Sequence, residues 1–205
     1  MGFQKSYNYK LMKSILISGS AGAGKDTIIE QLYRDLQAQN IKVEKAWFYK
    51  TRKPRPGEDP NSPEWITREE FERKLANNEL VFPGENAGEK VAYGKDWFRK
   101  SADVLIFNIM PSAVEKLKEL SVTAGGQAYS ISVDAPRQQR LERVRHRENY
   151  LIYEPAEYKL ENDIAKEYNK SDFDLVIENP DGEFEKTYEN IFNHVKEFLK
   201  KDEEK

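Results

Sequence analysis

The sequence predicts an α/β fold in which a central parallel sheet is covered by helices on both faces. Short apolar runs alternate along the chain with amphipathic stretches of helical period, as in a parallel sheet with crossover helices. The first apolar run ends in a glycine-rich turn that leads directly into a helix. The stretch 49–97 breaks the alternation, which predicts a small inserted lobe rather than a separate domain.

The predicted strands are short apolar runs. The first covers 14–18 and ends at a glycine, as expected for a buried parallel strand. The other runs of this kind are 43–50, 103–109, 127–133 and 174–178. Between residues 79 and 92, Pro83, Gly84 and Gly88 instead predict short strands joined by turns.

The predicted helices carry apolar residues at spacings of three and four. Thr67 and Glu70 form a capping box that begins one of them. Pro136 begins another, in the first-turn position that proline tolerates. The helical stretches are 26–40, 67–76, 111–120, the basic segment after 136, 157–169 and the segment from 184.

Composition excludes several classes of protein. A hydrophobic fraction of 38% in 205 residues is enough for the core of one α/β domain. The net charge of -3 argues against general nucleic-acid binding, which requires an excess of Lys and Arg. The absence of cysteine excludes disulfides, thiolate metal sites and a cysteine nucleophile. No apolar run approaches the roughly 20 residues that span a bilayer, and residues 1–13 contain no apolar signal-peptide segment.

A phosphate-binding motif follows the first predicted strand. Gly19, Gly24 and Lys25 fit the pattern G-x-x-x-x-G-K, in which glycines let backbone N–H groups turn onto phosphate oxygens. The following helix adds the positive end of its dipole, and Lys25 can reach the β- and γ-phosphates of ATP. The motif therefore predicts a P-loop that binds ATP, with Lys25 as a catalytic residue. The residues expected to contact ATP are Ser20, Ala21, Gly22, Ala23, Gly24, Lys25, Asp26 and Thr27.

The position after Lys25 departs from the usual P-loop pattern. A Ser or Thr that binds Mg²⁺ is usual there, whereas this chain has Asp26. Thr27 follows, but it points about 100° further round the helix. A carboxylate is also a hard oxygen ligand. Asp26 therefore either binds Mg²⁺, marks altered handling of the metal, or is an acid favoured by the helix dipole.

A second group of phosphate-binding candidates lies in the loop 51–63, which is rich in proline and charge. Arg52 and Arg55 are three residues apart, and their planar forks suit phosphate oxygens, although a solvated basic turn is the alternative. The segment 51–58, Thr-Arg-Lys-Pro-Arg-Pro-Gly-Glu, resembles the acceptor-phosphate signature of guanylate kinases. The resemblance covers nearly the whole chain in order, through the segments 67–71, 93–94, 143–147, 172–174 and Asn179.

The resemblance to guanylate kinases implies a fold and a set of roles. The family has a parallel-sheet core, a lobe that binds the nucleoside monophosphate, and a mobile lid. Carried over to this sequence, it implies that Arg52, Arg55 and Tyr93 bind the phosphate of the acceptor. It also implies ATP and Mg²⁺ as cofactors.

The positions expected around the acceptor's base depart from the family. Guanylate kinases place a hydroxyl residue, a tyrosine, a glutamate and a second hydroxyl residue around the nucleotide. The matching positions here hold Phe48, Pro63, Phe82 and Lys95. A glutamate can accept hydrogen bonds from guanine, which phenylalanine cannot do. We expect Phe48 and Phe82 to line the acceptor site, which disfavours GMP; the alternative is that both are core residues.

Asn108, near the end of the predicted strand 103–109, is a further departure, because guanylate kinases usually have acidic residues there. We expect it in the acceptor site. Asp26 and Asn108 together resemble the ribose 1,5-bisphosphate kinase branch of the superfamily, which also phosphorylates a phosphate-bearing acceptor. That activity is one alternative to a nucleoside monophosphate kinase, and a non-catalytic guanylate kinase-like module that binds phosphorylated ligands is another.

The basic helix offers further cations. Arg140, Arg143 and Arg147 share one helical face. In guanylate kinases, arginines of this helix and the following lid contact the ATP phosphates and the transferring group, where cations stabilise the transition state. Arg143 and Arg147 are therefore expected to be catalytic, the alternative being a solvated face paired with Glu142 and Glu148.

These features predict an ATP-dependent kinase that transfers the γ-phosphoryl group to a phosphorylated small molecule. The acceptor that they favour most is a nucleoside monophosphate. We expect a single domain over 1–205 that is cytoplasmic and acts as a monomer or homodimer, without a nucleic-acid polymer or a membrane as partner. Its parts are a core of 12–50, 101–140 and 170–200, an acceptor-binding lobe of 51–98 and a lid of 141–169.

Overall fold

The computed structural model describes residues 12–54, 58–86, 89–99, 102–146 and 172–200. The predicted helix 157–169 and the candidate site residues Arg55 and Arg147 lie outside these ranges. Within the described residues, no helix is long and apolar enough to cross a membrane.

The strands of the described residues form two sheets. Numbered along the chain, they are β1 (Lys13–Ser18), β2 (Val43–Ala46), β3 (Phe48–Lys50), β4 (Leu80–Asn86), β5 (Glu89–Gly94), β6 (Val104–Asn108), β7 (Gln127–Asp134) and β8 (Leu175–Glu178). In the described part of the chain, the central sheet is parallel and has the order β2-β6-β1-β7-β8. A smaller antiparallel sheet has the order β3-β5-β4.

The helices of the described residues are α1 (Lys25–Ala38), α2 (Arg68–Ala76), α3 (Val114–Thr123), α4 (Arg137–Arg145) and α5 (Phe184–Lys200), with 3-10 turns at Lys95–Arg99 and Pro111–Ala113. Helices α1 and α5 pack on one face of the central sheet and α3 on the other, whereas α2 packs on the smaller sheet. The predicted capping box is present, because the Thr67 hydroxyl accepts a hydrogen bond from the Glu70 N–H at 3.1 Å. The predicted helix 111–120 begins instead as a 3-10 turn and continues to Thr123.

Both faces of the central sheet are buried, which confirms the predicted fold class. Side chains of β1 alternate between the two faces, as strand geometry requires. Ile15 and Ile17 pack with Leu32 of α1 and Ile191 of α5. Leu16 joins a second cluster on the opposite face. Its fully buried neighbours are Leu105, Phe107 and Leu117.

The prediction of a single strand over 43–50 was wrong, because the chain changes sheets at Trp47. β2 pairs with β6 in the central sheet, whereas β3 pairs with β5 in the smaller sheet. The Trp47 carbonyl accepts a hydrogen bond from the Trp97 indole N–H at 3.0 Å, and the two rings meet edge to face at 4.4 Å. This contact holds the chain at the bend. The apolar pattern of the sequence continues across the bend without a break, so it gave no sign of the change of sheet.

The small sheet and α2 pack together beside the carboxyl end of β6, where the Tyr93 hydroxyl of β5 donates to the Asn108 carbonyl. Phe71 of α2 packs with Leu80 and Ala92 of the small sheet. β3 belongs to this sheet, whereas the lobe expected from the sequence begins after it, at residue 51. Helix α4 runs through residue 140, the position at which we expected the core to end and the lid to begin.

Lys13 ties the start of β1 to the end of α5. Its ammonium donates to the carbonyls of Phe198 and Leu199 at 2.8 and 2.9 Å, where a cation also complements the helix dipole. We expect Lys13→Met to lower the free energy of unfolding by about 1–3 kcal/mol, through loss of these charged hydrogen bonds. Urea denaturation measures the change. Lys186→Met, at a lysine whose side chain is 82% exposed, is the control and should alter stability little. Equal stability of the two variants would contradict the role of Lys13.

Candidate active site

The glycine-rich loop between β1 and α1 is folded around the Ser20 carbonyl. The Lys25 ammonium donates to the Ser20 carbonyl at 2.9 Å, and the Ala23 N–H donates to the same carbonyl at 3.2 Å. Gly24, with φ of +93°, precedes the first residue of α1. The loop therefore lies at the positive end of a helix of 14 residues, with its lysine held at its centre.

Helix α4 supports this loop from outside. Ala21 at the loop tip packs against Leu141 and Val144. Gly22 has φ of +78°, and a Cβ at that position would lie 2.5 Å from the Arg140 carbonyl oxygen. Any side chain at position 22 would therefore push the loop off the helix.

Arg143, which we predicted as catalytic, lies against the same loop with its guanidinium engaged. One terminal nitrogen donates to the Gly22 carbonyl at 3.1 Å. The other donates to the Asn179 carbonyl at 2.9 Å and to Asp181 Oδ1 at 2.6 Å, and Nε donates to the same oxygen at 2.9 Å. The side chain is thus held by the loop and by the segment after β8.

Asp26 and Asn108 meet at the carboxyl edge of the sheet. Asp26, exposed in the first turn of α1, accepts a hydrogen bond at 2.9 Å from the Asn108 amide at the end of β6. Thr27 is exposed on the next position of the helix. The structure therefore brings one predicted acceptor-site residue, Asn108, into contact with the predicted metal ligand.

Tyr93 of β5 connects the small sheet to the same point. Its hydroxyl donates to the Asn108 carbonyl, and its side chain is buried. Burial raises the pKa of the Tyr93 hydroxyl well above its ordinary value, so the hydroxyl stays protonated and acts as a hydrogen-bond donor. Asp26, Asn108 and Tyr93 thus form one continuous link from the ATP loop to the small sheet.

A continuous row of side chains leads from Tyr93 along the small sheet, and we call it the acceptor wall: Phe48, Lys50, Arg52, Trp65 and Tyr93. Phe48 meets Tyr93 edge to face at 5.6 Å, and the Lys50 ammonium lies 4.8 Å from the Phe48 ring centre. Lys50 and Arg52 lie 4.6 and 4.7 Å from the Trp65 ring centre. Such cation–π contacts hold the two cations in place beside each other.

Arg52 is engaged by a carboxylate in this structure. Its two terminal nitrogens donate to the two oxygens of Glu58 at 2.7 and 2.6 Å, and Lys50 pairs with Glu64 at 2.6 Å. A bidentate carboxylate has the geometry that a phosphate would take on the same guanidinium. An acceptor phosphate at Arg52 would therefore compete with Glu58.

Phe82 of β4 lies in the same apolar cluster as Phe48 and Tyr93, and it is half-buried. Its φ is +53°, at an irregularity in the pairing of β4 with β5. The left-handed region is strained for a bulky side chain, and such strain collects at functional sites. The backbone therefore holds the Phe82 ring at this position at a conformational cost.

Sequence reasoning overlooked several partners of the predicted residues. Lys50 and Trp65 complete the acceptor wall, Glu58 pairs with its Arg52, and Asp181 pairs with Arg143. The tryptophan close to a run of cations was the one local signal, because Arg and Lys favour aromatic faces. Asp181 lies 38 residues from its partner, and the sequence contains no signal for that contact.

The donor set suits Mg²⁺ bound together with nucleotide. Within the described residues, no three His, Cys, Asp or Glu side chains come together as a metal site. Mg²⁺ in kinases is commonly held by one or two carboxylates and by substrate phosphates, and Asp26 offers such a carboxylate beside the phosphate-binding loop. The residues present therefore fit a metal that arrives with ATP.

The fold and the loop together make this chain a guanylate kinase-like P-loop kinase, as predicted. The sequence model described as Guanylate kinase matches residues 11–202, and the chain therefore belongs to the guanylate kinase family. It is accordingly a phosphotransferase that acts on a nucleoside monophosphate. This membership gives no support to the ribose 1,5-bisphosphate kinase alternative.

Two individual guanylate kinases are similar to this chain, one in sequence and one in structure. A guanylate kinase of Mycoplasmoides gallisepticum (strain R(low / passage 15 / clone 2)) is 28% identical over 182 residues, which cover 86% of this chain and 88% of that protein. The crystal structure of guanylate kinase from Anaplasma phagocytophilum has the same fold, with a TM-score of 0.64 and 18% identity. That match covers 93% of this chain and 87% of the other.

Proposed function

We propose that the protein transfers the γ-phosphoryl group of ATP to the phosphate of a nucleoside monophosphate, and that guanine is not the base it prefers. The observation that carries the proposal is the link from Asp26 through Asn108 to Tyr93, which joins the ATP loop to the acceptor wall. A kinase needs its two phosphates side by side, because most of its catalysis is positioning and charge neutralisation.

On the donor side, backbone N–H groups of residues 20–25 and the N-terminus of α1 bind the β- and γ-phosphates. Lys25 releases the Ser20 carbonyl and places its charge on the transferring group. Asp26, oriented by Asn108, would hold Mg²⁺. When bound, Mg²⁺ neutralises charge on the β- and γ-phosphates during transfer.

On the acceptor side, Arg52 exchanges Glu58 for the acceptor phosphate, because both anions fit its guanidinium. We propose Arg55 as a second cation on the same phosphate. The incoming phosphate oxygen is already an anionic nucleophile, so no general base is required. Arg147 remains a proposed contact with the transferring group.

The choice of base follows from the acceptor wall. Selecting guanine requires an acceptor for its ring N–H and amino group, and sites that read such groups lose orders of magnitude when the partner is missing. Glu58 and Glu64, two carboxylates beside the wall, are paired with Arg52 and Lys50. Phe48 and Phe82 offer rings for stacking but no hydrogen bond. GMP is nevertheless the first acceptor to test, because the similar proteins are named guanylate kinases.

The decisive experiment is ADP release measured in a coupled assay with Mg²⁺ and each ribo- and deoxynucleoside monophosphate. We expect turnover with at least one nucleotide other than GMP at higher kcat/KM than with GMP. Preference for GMP would contradict the choice of base and leave the kinase intact. No turnover with any nucleotide would contradict the proposed reaction itself.

Phe82→Glu tests the choice of base directly. A carboxylate at this position supplies the missing hydrogen-bond acceptor, and charged hydrogen bonds are worth about 1.5–3 kcal/mol. We therefore expect the kcat/KM for GMP to rise about tenfold relative to the other nucleotides, a ratio that the same coupled assay measures. Phe82→Leu, which stays apolar, is the control and should leave the ratio unchanged. If Phe82→Glu melts at the wild-type temperature and its kcat/KM for GMP relative to the other nucleotides is unchanged, the base of the acceptor does not bind next to residue 82.

We also place the reaction in the cytoplasm, where ATP and nucleoside monophosphates are both present. The absence of cysteine is compatible with a reducing compartment.

A further inference from the structure

Arg143 is in a position to set the shape of the ATP loop rather than to touch the transferring group. Four of the five N–H donors of a guanidinium are used, one on Nε, one on the first terminal nitrogen and two on the second. Their acceptors are the carbonyls of Gly22 and Asn179 and the carboxylate of Asp181. Contact with a phosphate would require Arg143 to abandon these partners.

Asn179 holds the neighbouring peptide of the loop. Its side-chain amide donates to the Ala23 carbonyl at 2.9 Å, and a Cβ on Gly24 would lie 2.4 Å from its Nδ2. The side chain is buried, and its Oδ1 has no hydrogen-bond partner among the described residues. The amide nitrogen faces the Ala23 carbonyl, which can only accept a hydrogen bond, so contact with the loop sets the orientation of this side chain.

Two carbonyls held from outside fix the direction of two peptide N–H groups. A trans peptide is planar, so its N–H points away from its carbonyl. Holding the Gly22 carbonyl turns the Ala23 N–H into the loop, where it meets the Ser20 carbonyl at 3.2 Å. Holding the Ala23 carbonyl directs the Gly24 N–H away from Asn179. An N–H group whose direction is fixed in this way, as that of Gly24 is, can donate to phosphate with little reorganisation, whereas the Ala23 N–H must first leave the Ser20 carbonyl.

We propose that Arg143 is a positioning residue which, with Asn179 and Asp181, forms a clamp that holds the peptides of the ATP loop in the phosphate-binding orientation. The inference deepens the proposed function and rests on it, since the loop must bind a nucleotide phosphate. It differs from the role expected from the sequence, in which Arg143 contacts the transferring phosphoryl group. A change at Asp181 distinguishes the two roles. In the clamp its carboxylate supports Arg143, whereas an Arg143 that bound a phosphate would have to leave that carboxylate.

ADP binding tests the clamp without any phosphoryl transfer. We expect Arg143→Lys, Asn179→Ala and Asp181→Asn each to weaken ADP binding by about tenfold, as for loss of a charged or buried hydrogen bond. Isothermal titration calorimetry with Mg²⁺ measures the affinity, well below the melting temperature of each variant. Arg137→Ala, at an exposed position in the first turn of α4, is the matched control and should bind ADP as the wild type does.

Steady-state kinetics separates the clamp from a general loss of structure. The clamp predicts a raised KM for ATP in all three variants and a KM for the acceptor within about twofold of wild type, because the acceptor wall is untouched. Wild-type ADP affinity in Asp181→Asn, with equal or higher kcat, would overturn the proposal and assign Arg143 to the transferring group. Equal increases in both KM values would also overturn it. If the wild-type protein itself does not bind ADP, the proposed kinase function is wrong, and the clamp is wrong with it.

Discussion

Lys25→Ala is expected to lower kcat by roughly 100- to 1,000-fold, the range found when one preorganised donor to a developing negative charge is removed. Lys25 is the cation at the centre of the loop, and its ammonium lies within hydrogen-bond distance of the Ser20 carbonyl. The transition state of phosphoryl transfer spreads charge over the γ-phosphoryl oxygens, and a compact ammonium at that point lowers its energy. A coupled ADP-release assay at saturating ATP measures the loss.

Two lysine variants bracket this prediction. Lys25→Arg keeps the charge but changes its shape, so we expect an intermediate rate. Lys45→Ala removes a partly exposed lysine that pairs with Glu30 rather than with the loop, and it should leave kcat unchanged. A kcat within about threefold of wild type in Lys25→Ala would remove the lysine from the chemistry, because cations at the transferring group are worth far more than that.

Local patterns in the sequence were sufficient to predict the strand, the glycine turn and the helix of the candidate ATP loop. A strand, a glycine turn and a helix are consecutive in the chain, so the loop from Gly19 to Lys25 could be placed before its geometry was known. The capping box at Thr67 is equally local, and its hydrogen bond is present. In both places the residues that define the feature lie within a few positions of one another.

Contacts between distant segments could not be predicted in the same way. The spacing of Arg140 and Arg143 placed both on one face of a helix, but it contained no information about what that face would meet. The partners of Arg143 come from the ATP loop and from the segment after β8, 121 and 38 residues away. The division of 43–50 between two sheets has the same origin, since it depends on strand pairing rather than on the apolar pattern.

The geometry at Asp26 favours one of the three roles that the sequence left open for this residue. The carboxylate is exposed beside the phosphate-binding loop, and the Asn108 amide holds one of its oxygens at 2.9 Å. An acid that served only the helix dipole would need no such partner, whereas metal ligands are usually oriented by a second hydrogen bond. We therefore expect Asp26 to bind the metal of the ATP complex.

Asp26→Ala should lower turnover about 100-fold at limiting Mg²⁺, because a metal-phosphate interaction worth several kcal/mol is weakened. It should also weaken Mn²⁺ binding to the ADP complex by at least about tenfold, since loss of even an outer partner costs 10- to 100-fold. Electron paramagnetic resonance of Mn²⁺ measures this affinity independently of activity. Asn108→Ala removes the orienting amide and should have the same effect to a smaller degree.

Asp26→Ser distinguishes a metal ligand from a simple surface charge. Serine restores the hydroxyl that is usual after a P-loop lysine, so the variant should retain Mg²⁺-dependent turnover while its metal affinity falls with the lost charge. Asp26→Asn keeps the size of the side chain and removes its charge, so it should bind Mn²⁺ more weakly than wild type. If Asp26→Ala binds Mn²⁺ as the wild type does, Asp26 is only an acid at a helix N-terminus. The metal must then depend on the phosphates and on other residues.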